Sequence, residues 1–321
     1  DSPGADTYTT FAQAAELVRR VSALIDGGPQ VAYLVGWQHN GHDTGYPDVF
    51  TVNQRLGGLE GLRQAIADAA RHNTVLSFHD NYDDAYEHSP AWDPEIVARD
   101  SSGALQKGGV WAGGQSYALS FGPAATKQAL ARVERTLASY PLRVSYHIDV
   151  LSAVPRRLDF NPDRPSGGER SLAGKVAIVK AFNQRGVDVT SEGFCDPFVG
   201  VLGHTWHLMR GQEPLFGTEE RIPFTPFVYH GHATWGGGIN GDAGLLDALI
   251  LGATFSADFN RDTPLNEILD RAYLVHQPYR LLREREATGY RAAGAKRRMD
   301  YGRDSYVEVD DDANRYQVVV D

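Results

Sequence analysis

Two acids stand where short apolar segments end: Asp149 in Val144-Ser-Tyr-His-Ile-Asp149-Val and Glu192 in Gly186-Val-Asp-Val-Thr-Ser-Glu192-Gly. A facing pair of carboxyl groups is the minimal machinery for breaking a glycosidic bond. One attacks or stabilises the sugar cation, and the other protonates the leaving oxygen. A charged group closing an apolar strand needs a partner or a role, because unpaired burial is costly. The structural alternative for Asp149 is an ion pair with Arg156 or Arg157 of the next loop. For Glu192 it is an acid at a helix N-terminus. Period two places His147 on the same strand face as Asp149.

Other polar clusters follow apolar segments in the same way. After Val31–Val35 comes Gly36-Trp-Gln-His-Asn-Gly-His-Asp43-Thr-Gly-Tyr-Pro-Asp48. Trp37 offers a flat surface for stacking a sugar, and His42 and Asp43 can bond its hydroxyls; the alternative is a loop whose Asp and Gly only make turns. After Val75–Phe78 comes His79-Asp-Asn81-Tyr-Asp83-Asp84, with His79 placed to enter a pocket. Later, Tyr229-His-Gly-His232-Ala-Thr-Trp235 supplies His232 and Trp235 as possible lining for sugar subsites. His230 and His232 on a strand would also project to one side as a metal pair. That opens a rival class, a metal-dependent barrel hydrolase drawing on His79, His147 and Asp149. Against it stands order, since the paired histidines of such enzymes usually open the barrel and these come late.

The elements that must position these residues alternate. Helical spacing runs over 9–27, 59–72, 124–139 and 171–185, and short apolar strands over 31–35, 75–79, 143–150 and 187–191. A long polar loop spans 80–116, and a Pro/Arg/Gly-rich loop spans 152–170. Further strands are expected at 204–209, 225–230 and 253–257, a helix at 268–288, and a hairpin at Tyr306–Val309 and Tyr316–Val320. Alternation of this kind calls for a parallel sheet. The expectation is a (β/α)8 TIM-type barrel over residues 1–300, with its first strand lacking or irregular. A β-rich C-terminal region then begins at 301–321. In such a barrel every strand end points to one face, so distant acids can meet in one pocket.

Composition narrows the class. The 321 residues carry a formal charge of −10 with no compensating basic stripe, which argues against a nucleic-acid partner. Lys296-Arg-Arg298 reads as a solvated helix end. The single cysteine, Cys195, excludes an intrachain disulfide and a Cys₄ or Cys₂His₂ zinc site. No apolar run approaches the ~18 residues of a membrane span, and no signal peptide is evident.

Gly36-Trp-Gln-His-Asn-Gly-His-Asp-Thr-Gly, Leu56-Gly-Gly-Leu-Glu-Gly-Leu and Leu76-Ser-Phe-His-Asp-Asn-Tyr together resemble the catalytic barrel of the endo-α-N-acetylgalactosaminidases, glycoside hydrolase family 101, and their relatives. The resemblance runs from about residue 31 to 195. It implies a retaining enzyme in which Asp149 of Tyr146-His-Ile-Asp149-Val is the nucleophile, with one extra residue between Tyr and Asp. Glu192 is the acid/base, Asp43 contacts sugar hydroxyls, and Asn81 belongs to the His-x-Asn strand end. It also implies release of Gal-β-1,3-GalNAc from glycoproteins, a secreted or cell-surface location and no cofactor. The family's Trp-Gly after each acid is replaced here by Val-Leu-Ser-Ala and Gly-Phe-Cys, so mechanism carries over better than substrate. The resulting expectation is a divergent retaining glycoside hydrolase acting on a carbohydrate substrate and requiring no metal. Its rivals are an inverting enzyme, the metal hydrolase and a non-catalytic glycan-binding barrel.

Overall fold

The computed structural model describes residues 6–154, 156–208, 222–236, 241–254 and 259–321. The chain forms two compact units, Asp1–Leu202 and Gly203–Asp321.

In the first unit, helix α1 (Phe11–Leu24) opens with a capping box between Thr10 and Gln13. Its Phe11, Leu17, Val18 and Val21 recur at helical spacing and are buried. Then follow β1 (Gln30–Leu34), α2 (Gly58–Ala70), β2 (Thr74–Asn81), β3 (Asp84–Ala85), β4 (Lys107–Trp111), β5 (Gly114–Ala118), α3 (Pro123–Ser139), β6 (Val144–Asp149), α4 (Gly168–Asn183) and β7 (Val187–Gly193). Strands β1, β2, β6 and β7 pair in parallel in that order. Helices make the crossovers that parallel pairing requires. Strands β3, β5 and β4 form a small antiparallel sheet inside the stretch expected to be loop. Gly108, Gly109, Gly113 and Gly114 interrupt the apolar alternation that would have announced it.

The second unit runs through β8 (His204–His207), α5 (Phe224–Tyr229), α6 (Gly241–Ile250), α7 (Leu265–Arg271), a π-helical turn (Ala272–His276) and α8 (Gln277–Leu282). An antiparallel sheet closes the chain: β9 (Gly289–Ala293), β10 (Lys296–Asp300), β11 (Tyr306–Asp310) and β12 (Arg315–Val319). Its core gathers Leu246, Leu249, Ile250, Leu282, Met299, Tyr301, Val307 and Val309. Parallel bridges Thr205–Trp235 and Gly236–Thr254 extend the strand-like pairing in this unit.

Several expectations change. Segment 225–230 is mostly helix, because Pro226 cannot donate to a ladder but fits a first helical turn. Of 253–257, Thr254 makes one bridge, and 255–257 lies outside the described residues. Lys296–Arg298 is strand, its alternate side chains split between the two faces of β10. The antiparallel sheet begins at Gly289, ahead of the expected 301. No first barrel strand is present among described residues 6–10.

Candidate active site

The register of the parallel sheet assembles the site. His79 pairs with His147 and Asn81 with Asp149 across β2 and β6, and His147 pairs with Thr190 across β6 and β7. One further period of the β6–β7 register sets Asp149 beside Glu192 on neighbouring strands, whose backbones lie ~4.8 Å apart. Period two therefore puts His79, Asn81, His147, Asp149, Thr190 and Glu192 on one face. Asp80, Tyr146 and Ile148 face the helices. The two acids thus stand at neighbouring strand ends, close enough for Glu192 to act on the Asp149 carboxyl.

Burial, the adjacent Glu192 and the further acids Asp43 and Asp84 push the Asp149 carboxyl up to about 8. Asp43 is pushed up to about 7 by burial, Asp84 and Glu192. Asp84 is raised as well, chiefly by burial. His42 Nε2 lies 3.3 Å from Asp43 Oδ2 and 3.8 Å from Asp149 Oδ2, and His79 Nε2 lies 3.7 Å from Asp149 Oδ1. These histidines do not neutralise the acids, because burial holds His42 at about 4 and His79 at about 3. Arg156 pairs with Glu169 at 2.9 Å and Arg157 with Asp83 at 2.9 Å, so neither takes up Asp149. Among the described residues, no Arg or Lys forms an ion pair with Asp149 or Asp43.

The turn after Asp149 is strained. Val150 has φ 45°, a region that a β-branched side chain rarely enters. Lys175 Nζ holds this turn by donating to Leu151 O at 3.2 Å and Val154 O at 2.7 Å. The same ammonium donates to both Asp83 oxygens at 3.0 Å. It thereby ties the loop after β6 to the loop after β2.

Residues 4–148 match the family model described as endo-alpha-N-acetylgalactosaminidase, glycoside hydrolase family 101. The resemblance to family 101 holds. Among solved structures, the ligand-free alpha-N-acetylgalactosaminidase NagBb from Bifidobacterium bifidum superposes with TM-score 0.85 at 20% identity, over 98% of this chain and 53% of that one. The GalNAc complex of NagBb gives TM-score 0.83 at the same identity and coverage. The GH36 alpha-galactosidase AgaA variant from Geobacillus stearothermophilus, in complex with raffinose, gives TM-score 0.65 at 13% identity, over 94% of this chain and 45% of that one. At these identities the likeness is one of fold. The chain spans about half the length of these solved relatives.

The structure gathers Asp149 and Glu192, just beyond the matched region, with Asp43, His42 and His79 inside it, and corrects the role expected of Trp37. That residue is fully buried, stacked on Phe78 at 4.2 Å, with its indole N–H donating to His79 O at 2.9 Å. It supports the strand that carries His79 and has no face for a sugar. His147 is buried beneath the site, with Nδ1 2.8 Å from Thr190 Oγ1 and its ring 4.8 Å from that of His79. Asn81 shapes the loop: its Oδ1 accepts from the N–H groups of Asp83 and Asp84, and its Nδ2 donates to Asp84.

Trp235 and His232 lie in the second unit. Trp235 is buried and donates to Leu251 O at 3.1 Å, so it too lacks a sugar-stacking face. His232 is exposed and 3.5 Å from Glu286. His230 follows α5, with Nδ1 2.6 Å from Arg285 O, so the two histidines are not a strand pair aimed at one metal.

The sequence reading missed what braces the acids. Ser116 on β5 donates to Asp84 Oδ1 at 2.7 Å. Gly113 N–H, between β4 and β5, donates to Asp43 O at 2.7 Å. A Cβ at Gly113 would fall 2.6 Å from that oxygen, so this approach needs glycine. The β4–β5 hairpin is thus fastened to both Asp43 and Asp84 and carries Trp111, half exposed. An exposed tryptophan within a polar, Gly-rich segment was the available signal.

Proposed function

We propose that this chain carries the catalytic face of a retaining glycoside hydrolase, on a (β/α)8-type barrel, that cleaves an α-linked sugar from a glycan or glycoconjugate. The observation that carries the reading is the placement of Asp149 and Glu192 at adjacent parallel strand ends, with no Arg or Lys ion-paired to Asp149 among the described residues. Adjacent strands ~4.8 Å apart suit the ~5–5.5 Å carboxyl separation of retention better than the ~6.5–9.5 Å of inversion.

The raised Asp149 carboxyl keeps one proton on the pair at neutral pH. One proton is the count the double displacement requires. Asp149 attacks the anomeric carbon as the carboxylate while Glu192 gives the proton to the leaving oxygen. The carbon–oxygen bond breaks with its electron pair going to that oxygen. Water then loses a proton to Glu192 and attacks the same carbon from the opposite side, which frees Asp149. Asp43 and His42 meet the sugar hydroxyls, and Trp111 offers the exposed aromatic surface that Trp37 does not. The names of the family and of NagBb make α-linked N-acetylgalactosamine the first sugar to try. An extracellular or cell-surface location goes with a polymeric or glycoprotein substrate.

The test is hydrolysis of aryl α- and β-glycosides and a core-1 disaccharide glycoside. Wild type is compared with Asp149→Asn and Glu192→Gln. An α-glycoside should turn over, with each variant slower by at least about 10²–10⁴-fold. Full rate in both variants overturns the assignment. Activity should also fall as pH rises through about 8, where the pair loses its proton.

A further inference from the structure

We propose that His42, His79 and Asp149 form a site for a divalent transition-metal ion, Zn²⁺ being the probe, that competes with the sugar and blocks the nucleophile. One ligand atom from each residue lies within 4.8 Å of the other two. His42 Nε2 lies 3.8 Å from Asp149 Oδ2 and His79 Nε2 3.7 Å from its Oδ1. Tetrahedral zinc with bonds of ~2.0–2.2 Å holds its ligands about 3.4 Å apart, so closing on an ion asks for side-chain shifts on the order of an ångström. Two imidazoles and one carboxylate suit zinc and leave a coordination position open.

A second observation points to a ligand. Asp43 is nine-tenths buried, and its Oδ1 has no hydrogen-bond partner. Its other oxygen sits 3.3 Å from His42 Nε2, so the carboxyl stands beside the metal position, ready to take the ion or a water bound to it. Tyr46 OH, 3.4 Å from His42 Nδ1, gives that ring the outer partner that metal-bound histidines usually have. The surrounding excess of carboxyl groups favours a dication.

An ion held by Asp149 occupies the oxygen that would attack the sugar. The metal therefore inhibits, which is opposite to the behaviour of a metal-dependent hydrolase. The competition part rests on the glycosidase reading; the binding part does not.

The experiment is calorimetric titration of Zn²⁺ into chelator-treated wild type, His42→Gln, His79→Gln and Asp149→Asn, each checked for folding by circular dichroism. One ion per wild-type chain is expected, with binding weakened at least tenfold in each folded variant. His79 is buried in β2, and if its variant fails to fold, His42→Gln on the loop still decides. Absence of one-to-one binding, or equal affinity in wild type and His42→Gln, overturns the site. On a glycoside that turns over, Zn²⁺ should raise KM with kcat held, and EDTA should restore the rate. Turnover indifferent to bound Zn²⁺, or abolished by EDTA, overturns the competition. If no glycoside turns over, the glycosidase reading falls while the titration still decides the metal site.

Discussion

Asp83 and Asp84 are adjacent in sequence and opposite in circumstance. Asp83 is buried against the Lys175 ammonium at 3.0 Å and the Arg157 guanidinium at 2.9 Å. Asp80, also buried, has Arg132 as its ion-pair partner and accepts from Tyr146 OH at 2.6 Å. Asp84, by contrast, receives hydrogen bonds from Ser116 and Asn81 and faces Asp43 and Asp149. Side by side, then, one set of acids is supplied with cations and another is left with its own kind. The first set fastens the loops that carry the second. Four carboxyl groups massed with no Arg or Lys among the described residues ion-paired to Asp43 or Asp149 oppose stability, and raised pKa values at such a cluster are a mark of a working site.

The sharpest way to break this comparison is to remove a cation from the first set. Lys175→Met leaves Asp83 short of its ammonium and releases the carbonyls of Leu151 and Val154. Urea unfolding should show a loss of about 3–5 kcal/mol. Replacing Asp83 by Leu in the same chain should recover little of that loss, because Arg157, 2.9 Å from Asp83, then lacks its counterpart. A single variant as stable as wild type would mean that the paired acids do not brace the fold.

The second set should respond with the opposite sign. Folding raises Asp43 to about 7 and Asp149 to about 8, so the folded chain holds protons that the unfolded chain gives up near pH 4. Their contribution is intact below pH 4 and is lost as pH climbs through 7 and 8. Asp43→Asn should therefore be more stable than wild type at pH 8, by about 1–2 kcal/mol, and equal to it at pH 4. His42 and His79 are held low, so their contribution is present above pH 6.5 and lost as pH falls toward 4 and 3. Melting curves of both proteins across this range separate the two effects. The smallest effect is backbone relief: Val150→Gly removes the positive-φ strain and should add about 1 kcal/mol in thermal unfolding. If the strain positions Asp149, turnover should drop with it.

Much of this site was legible because its residues obey period two. His79, Asp149 and Glu192 stand at the ends of apolar runs, and the helices between those runs follow the 3.6-residue pattern. What stayed hidden depends on contacts between distant segments. Trp37 looks like a sugar platform in sequence, yet Phe78 and Tyr140 enclose it. Nothing local marks Lys175 as the partner of Asp83, 92 residues away. The β4–β5 hairpin was invisible because glycines replace its alternating apolar residues. Pro226 within Phe224–Tyr229 carried the helical signal against the β-forming aromatics around it.

The most direct test of the paired-acid mechanism is chemical rescue by azide. Asp149→Ala and Glu192→Ala are each incubated with an activated aryl α-glycoside and azide, and the glycosyl azide is identified by proton NMR. The mechanism predicts a β-glycosyl azide from Asp149→Ala, where azide replaces the missing nucleophile. It predicts an α-glycosyl azide from Glu192→Ala, where azide intercepts the intermediate on Asp149. The same anomer from both variants, or the reverse assignment, would contradict it.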